Sequence, residues 1–291
     1  MDIHRYEDTA EFLQHAGEFL AAREAEHNLI LGLCSRLKQD PLAFGEAPYL
    51  AVVQEGERVV AAALRTPPHN LVLSEIDDPG ALEPLCADVV LAFGSLSGAT
   101  GPTAEVARFV ELWQAATGAR GRRAIAERIF RAESVEPPEG VAGRMRPYAE
   151  ADRELALRWL DAFGTEALPD SHQGSAAGAL AHRLEDPEGG YVFWEDGEPV
   201  CIAGFGGPTP NGIRIGPVYT PPELRARGYG SAVTAALTQQ LLDGGRRFCF
   251  LFTDLANPTS NSIYQRIGYR PVSDVDLWAF DPVGPVSRGS A

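Results

Sequence analysis

Val218-Tyr219-Thr220-Pro221-Pro222-Glu223-Leu224-Arg225-Ala226-Arg227-Gly228-Tyr229-Gly230 is the stretch that decides how this chain reads. It is a strand end, a short proline-bearing loop and the glycine-softened start of a helix. That helix runs from about Ser231 to Asp243, with Val233, Ala236, Leu237 and Leu241 at helical spacing, and it stops at Gly244-Gly245. The first N–H groups of a helix have no intrahelical partner, and the helix dipole adds positive charge there. Successive amides in such a turn cradle an anion. Gly228 and Gly230 allow close backbone approach, and Arg225 and Arg227 add charge. Two glycines at a helix start are costly unless used, so the segment reads as a diphosphate site.

Working outward, a buried strand follows at Arg246–Asp254, then a second helix from Asn257 to Gly268. Three phosphate-binding patterns compete. A Walker loop needs Gly-Lys-Ser/Thr, and Gly230-Ser231 lacks the lysine. In a Rossmann reading Gly228 and Gly230 supply two glycines and Asp254 the ribose-binding acid, but Val233 stands where the third glycine belongs. Thr220 to Arg227 also separate the strand from the glycines, and only this region reads as strand–helix–strand. The third pattern fits. Arg225-x-x-Gly228-x-Gly230, followed by Asn257-x-x-Ser260-x-x-Ile263-Tyr264-x-x-x-Gly268-Tyr269, resembles the two signature segments of the GCN5-related N-acetyltransferase (GNAT) superfamily. The close match covers Ile213 to Phe280, and a looser one starts near Arg144.

The resemblance implies acetyl-CoA as co-substrate and a role for each matched position. Backbone around Val218, Tyr219 and Thr220 would meet the pantetheine arm and the acetyl carbonyl, with the oxyanion held near Tyr219. Backbone across Arg225, Ala226, Arg227, Gly228, Tyr229, Gly230 and Ser231 would hold the pyrophosphate. Asn257 would bond the pantetheine arm, with Asn261 beside it, and Tyr264 would act as general acid toward the departing thiolate. Positions 257, 261 and 264 share one helical stripe, while Ile263 and Ile267 lie on an apolar face. A phenol with a pKa near ~10 serves as an acid only if held against the leaving group. Other readings stay open. Asn257 before Pro258 is also an N-cap signal, Tyr264 also reads as a packing residue, and Arg225 and Arg227 as surface charges.

The fold class expected is α/β (α+β): two GNAT-like domains, each a mixed, mostly antiparallel sheet flanked by helices. Tyr49–Ala63 and Tyr191–Gly204 are both strand, acidic-Gly turn, strand. Ile3–Tyr6 and Arg146–Tyr148 precede a helix in each half, so the order favours a tandem duplication. The boundaries expected are a degenerate domain 1–135, a proline-rich linker 136–142, a cofactor-binding domain 143–281 and a loose tail 282–291. In the first half a long helix spans about Glu11 to Lys38. The strand Leu71–Ile76 is followed by a short helix broken at Pro84, then a strand at Asp88–Phe93. A helix at Thr103–Thr117 and a strand near Ile125–Ala132 complete the domain. It lacks the glycine signature and is inferred to have lost the cofactor site. Its remaining uses are shaping the acceptor pocket, a dimer contact or binding a regulator.

Net charge is −15, from 40 acidic and 25 basic residues, which argues against nucleic acid and suits a cationic amine. No apolar run approaches the ~20 residues of a membrane span, and no leader opens the chain. Cys34, Cys86, Cys201 and Cys249 are scattered, as in a reduced cytoplasmic protein. No metal is expected, and His27, His69, His172 and His182 read as packed or surface residues. Glu166 is the tentative base, with Asp170 beside it; Glu195 and Asp196 read as solvated turn acids, and Glu223 as too near the phosphate cradle. The expected function is acetyl transfer from acetyl-CoA to a primary amine of a small or cationic acceptor by direct attack, in a monomer or homodimer. The alternatives are a non-catalytic acyl-CoA sensor, mycothiol-synthase-like transfer to a thiol-precursor amine, and tRNA-fed aminoacyl transfer.

Overall fold

A computed structural model describes residues 1–167 and 175–281, and the side chains of Thr259 and Ser260 fall outside the description. Asp170, His172 and the tail 282–291 therefore lie outside the described residues. Two compact units emerge. One comprises Met1–Ile30, Leu37–Glu127 and the chain from Asp274; the other comprises Leu31–Arg36 and Arg128–Ser273. The units interleave, so the boundary expected at 136–142 does not divide the chain in space.

The first unit runs β1 (Asp2–Tyr6), α1 (Thr9–Ala22), α2 (Asn28–Gln39, of which Leu31–Arg36 fall to the second unit), β2 (Tyr49–Glu55), β3 (Arg58–Arg65), β4 (Leu71–Leu73), α3 (Leu82–Phe93), β5 (Gly98–Pro102) and α4 (Thr103–Thr117). The second contains β6 (Gly121–Ala132) from Arg128 on, β7 (Arg144–Pro147), α5 (Arg153–Ala167), α6 (Ala176–Glu185), β8 (Gly190–Asp196), β9 (Glu198–Gly206), β10 (Gly212–Tyr219), α7 (Tyr229–Asp243), β11 (Phe248–Asp254) and α8 (Pro258–Arg266). The last strand, β12 (Arg270–Phe280), returns to the first unit from Asp274.

Strand order in the first unit is β1-β2-β3-β4-β5-β12, and in the second β7-β8-β9-β10-β11-β6. The two orders correspond strand for strand, with the sixth strands exchanged. The strand expected at Ile125–Ala132 therefore completes the other half, and Phe130 and Ala132 lie in the second unit's core while Phe280 lies in the first's. β4 with β5 and β10 with β11 are parallel pairs, and the β1–β2, β2–β3, β3–β4, β5–β12, β7–β8, β8–β9 and β9–β10 pairs are antiparallel.

Two expectations of the first half are corrected. The helix expected at 11–38 is two helices. Arg23 leaves the first with φ −131° and pairs with Glu75 and Asp77, and His27 turns inward. The strand expected at Asp88–Phe93 is the second half of α3. Pro84 sits in the first turn, where an amide has no intrahelical partner, so the missing N–H breaks nothing. Leu82, Leu85, Cys86 and Val89 then bury one helical face.

The two hairpin turns expected form as read. Gly56 and Gly197 take φ of +62° and +75° between their strands. The second unit has a core on each face of its sheet. One gathers Val233, Leu237, Cys249, Leu251 and Tyr269 beneath α7 and α8; the other gathers Ala156, Leu160, Leu180, Phe193 and Tyr219 beneath α5 and α6.

Candidate functional site

The site begins where β10 and β11 part. Their parallel register runs from Gly212–Phe248 to Arg214–Phe250, although the strands continue to Tyr219 and Asp254. β10 stays paired with β9 through Val218–Ala203 and Tyr219–Ile202 after a bulge between Ile215 and Val218. Beyond Arg214, one edge of β10 is thus left without a described strand partner. That edge carries backbone groups able to pair with an extended ligand.

The chain leaves Tyr219 through a 3-10 turn at Pro222–Leu224 and enters α7 over an irregular stretch. Ala226 has φ +63°, the one positive φ among described non-glycine residues, and Gly228 has φ +85°. A bond from Ala232 N–H to Gly228 C=O opens the helix. The amides of Tyr229, Gly230 and Ser231 precede it, in the positions a helix leaves unpaired. The two glycines serve different ends. A Cβ on Gly228 would stand 2.8 Å from Val141 Cγ2, whereas one on Gly230 would meet nothing nearer than Thr220 Oγ1 at 3.8 Å. Gly228 is required by the protein, whereas a Cβ at Gly230 would make only ordinary van der Waals contact with Thr220 and Val218. Arg227, Ser231 and Arg266 border the groove beside this turn, with Pro138 and Val141 as its wall.

The side chains of the turn are mostly committed within the protein. Arg225 donates through Nε to the Thr220 carbonyl at 2.9 Å and through Nη2 to Glu166 Oε2 at 2.6 Å. Tyr219 O–H donates to Glu166 Oε1 at 3.0 Å. The Arg225 guanidinium, helped by Tyr219, holds the Glu166 carboxyl below the usual carboxylate range. Both oxygens of the Glu166 carboxylate are thus engaged, so in this arrangement it serves as an ion-pair and hydrogen-bond partner. Tyr229 O–H donates to Asp196 Oδ2 at 2.6 Å, and Glu195 pairs with Arg146, so both turn acids have partners within the protein, although Asp196 stays exposed to solvent.

On α8, Asn257 is exposed at the N-cap position: its carbonyl accepts from Asn261 N–H, and its own N–H donates to Asp254 O at 3.0 Å. Asn261 turns back to β11. Its Oδ1 accepts from Thr253 Oγ1, and its Nδ2 donates to Asp254 O at 3.2 Å. In this arrangement the Asn261 amide ties α8 to β11. Tyr264 packs on the second unit's core with its ring edge-on to Tyr269 at 6.1 Å, not on an outward polar stripe. Burial, with Cys201 nearby, pushes its hydroxyl well above the ordinary tyrosine value. Cys201 is fully buried, accepts from Thr220 Oγ1 at 3.1 Å, and has its thiol raised to about 12 by burial. Val141, Asp196 and Cys201 gave no sequence signal as site neighbours, because each meets its partner only through the fold.

The corresponding place in the first unit is shut. A Cβ on Gly101 would lie 2.9 Å from Leu73 Cβ, so β4 and β5 stay close. At the turn before α3, Asp78 caps Gly80 N–H at 2.9 Å, putting a carboxylate where an anion would sit. His27 is 1% exposed, with Nδ1 on Leu20 O at 3.0 Å and Nε2 accepting Glu75 N–H at 3.1 Å; it is a core residue. Among the described residues, no three or more His, Cys, Asp or Glu group to hold a metal ion, and no helix is long and apolar enough to cross a membrane.

Residues 209–279 match the family described as FR47-like protein. A mycothiol acetyltransferase of Pseudarthrobacter chlorophenolicus is 32% identical over 164 residues, covering 52% of this chain and 48% of that relative. The chain thus spans about half the length of the curated relative it matches. A GCN5-related N-acetyltransferase from Kribbella flavida superposes with a TM-score of 0.57 at 19% identity, covering 88% of this chain and 97% of its own. A tandem GNAT protein from the clavulanic acid biosynthesis pathway gives 0.60 at 13% identity, covering 98% and 99%. The expectation drawn from the signature therefore stands in this form: the chain has the fold of tandem GNAT proteins, and its residues 209–279 match the FR47-like family.

Proposed function

We propose that the second half binds acetyl-CoA and transfers its acetyl group to a primary amine. The observation that carries this is the parting of β10 from β11 beyond Arg214, beside a turn whose amides stand at the uncapped start of α7. The residues suit the cofactor. The parted edge of β10 matches an amide-bearing arm, the amides from Ala226 to Ser231 match a diphosphate, and the space at Gly230 admits it. When bound, acetyl-CoA supplies an acyl thioester open to attack by an amine.

The chain's own groups then have these tasks. Backbone N–H near Val218 and Tyr219 holds the thioester carbonyl oxygen as it gains negative charge. Asn257, at the mouth of α8, meets the arm. Tyr264 keeps its proton across the neutral range because burial raises its pKa, so it offers a hydrogen bond to the departing sulfur. Its raised pKa makes that bond, rather than complete proton loss, its main contribution. The net charge of −15 favours approach of a cationic amine.

A second reading concerns the acceptor. The matched relative is named for mycothiol, so a thiol-precursor amine is the first acceptor to try. Calorimetry with acetyl-CoA, followed by mass spectrometry of a panel of amines, tests both. Absence of any heat with acetyl-CoA removes the proposal, and binding without acetylation of any amine favours a sensor.

A further inference from the structure

Arg225 opens the glycine signature, yet its side chain folds back along its own turn. It spans three elements: the Thr220 carbonyl just past β10, the Glu166 carboxylate in the last turn of α5, and the face of the Tyr219 ring at 5.7 Å. The same carboxylate takes the Tyr219 hydroxyl. We propose that Glu166 and Arg225 form a latch that fastens α5 to the turn 220–228 and sets its shape for the acyl-CoA diphosphate, making Glu166 a positioning residue. The inference rests on reading this turn as the acyl-CoA cradle.

The turn needs such a brace. Ala226 stands at φ +63°, a conformation that costs a side-chain-bearing residue energy and persists only where the surroundings impose it. Arg225 is the residue before it, and its Nε bond to Thr220 O closes the loop that precedes Ala226. Glu166 fixes the other side of the guanidinium. The ion pair is partly exposed, 46% for Arg225 and 43% for Glu166, and an isolated surface pair would do little. Here each partner makes a further hydrogen bond, so rotation of either side chain breaks more than one contact. The latch also cancels the Arg225 charge, leaving diphosphate binding to the amides.

That cancellation gives opposite signs for two explanations. If Arg225 were a phosphate ligand held in check, Glu166→Gln would free it and tighten coenzyme A binding. With a latch, Glu166→Gln loosens the turn and weakens binding. The experiment measures coenzyme A affinity by calorimetry on the full chain and on Glu166→Gln, Arg225→Gln and the double variant. The expected result is a loss of about fivefold to tenfold in each single variant, the scale of one ordinary hydrogen bond. The double variant should be no worse than either single. Melting curves confirm that each variant folds, and Tyr219→Phe, which removes one bond to the carboxylate, should show a smaller loss.

Tighter or unchanged binding in Glu166→Gln overturns the latch, as do single losses that multiply in the double variant. Unchanged affinity with a hundredfold or greater fall in saturated turnover, on the scale of a lost general base, also overturns it and returns Glu166 to that role. Failure of the parent chain to bind coenzyme A sinks the cradle reading and the latch together, whereas binding that ignores the latch variants sinks only the latch.

Discussion

Val141 lies against Gly228, with its Cγ2 2.8 Å from where a Cβ on that glycine would stand. The turn that opens α7 is thus held from outside by a residue far away in the sequence. Gly228→Ala meets two penalties: φ of +85°, about 1–2 kcal/mol for a residue with a Cβ, and overlap with Val141. The variant should melt lower than the parent and lose coenzyme A affinity. Trimming the wall with Val141→Ala should recover only the overlap part. An unchanged melting temperature in Gly228→Ala would sink this account of the turn.

Gly230 makes the opposite prediction. Its Cβ would make only ordinary van der Waals contacts, and alanine favours a helix over glycine by up to about 1 kcal/mol. Gly230→Ala should therefore melt at or above the parent temperature while binding coenzyme A more weakly, and Gly230→Val should bind still less. Calorimetry beside a thermal melt reads both. Full affinity in Gly230→Val would mean that this space is not the ligand's.

The contrast between these glycines shows what a sequence records. A backbone that must approach a ligand or take positive φ demands glycine, so 228 and 230 were legible, as were the hairpin turns at Gly56 and Gly197. The repeat was legible because strand and turn chemistry recur in order. Strand partners were not: an alternating or apolar run says that a strand forms, not which sheet receives it, and so the exchange of β6 and β12 was hidden. Asp88–Phe93 is a short apolar run that suits a buried strand or a helix, and packing on the first core decides for helix. The site's side-chain pairs, Glu166 with Arg225 and Tyr229 with Asp196, are 59 and 33 residues apart and carry no local pattern.

Tyr264 separates enzyme from sensor. Its hydroxyl is held protonated by burial, so it contributes no titration to the pH–rate profile below its ordinary value of about 10. Tyr264→Phe keeps the ring packed near Tyr269 and removes one donor. Coenzyme A affinity should stay within about twofold, while turnover falls about tenfold to hundredfold, the lower range for a lost proton donor. The shape of the profile between pH 6 and 9 should not change. A vanished limb in that interval would mean that the hydroxyl titrates there, against the burial argument.

The first unit's histidine gives a stability test independent of any ligand. His27 is buried with both ring nitrogens engaged, one as donor and one as acceptor, which fixes the neutral ring. Burial lowers its pKa from 6.5 in the folded chain. The unfolded chain therefore binds more protons below that value, and stability present at neutral pH is lost as pH falls. One such group removes at most about 1.4 kcal/mol per pH unit until its folded pKa is reached. His69 and His182, also lowered chiefly by burial, act with the same sign. Urea unfolding at pH 7.5 and pH 5.5 should show the parent losing stability on acidification. His27→Gln, less stable at pH 7.5 because it loses packing against Phe19, should lose less on acidification. Equal losses in the two proteins would mean that His27 takes up its proton without cost, which a ring accepting the Glu75 amide cannot do.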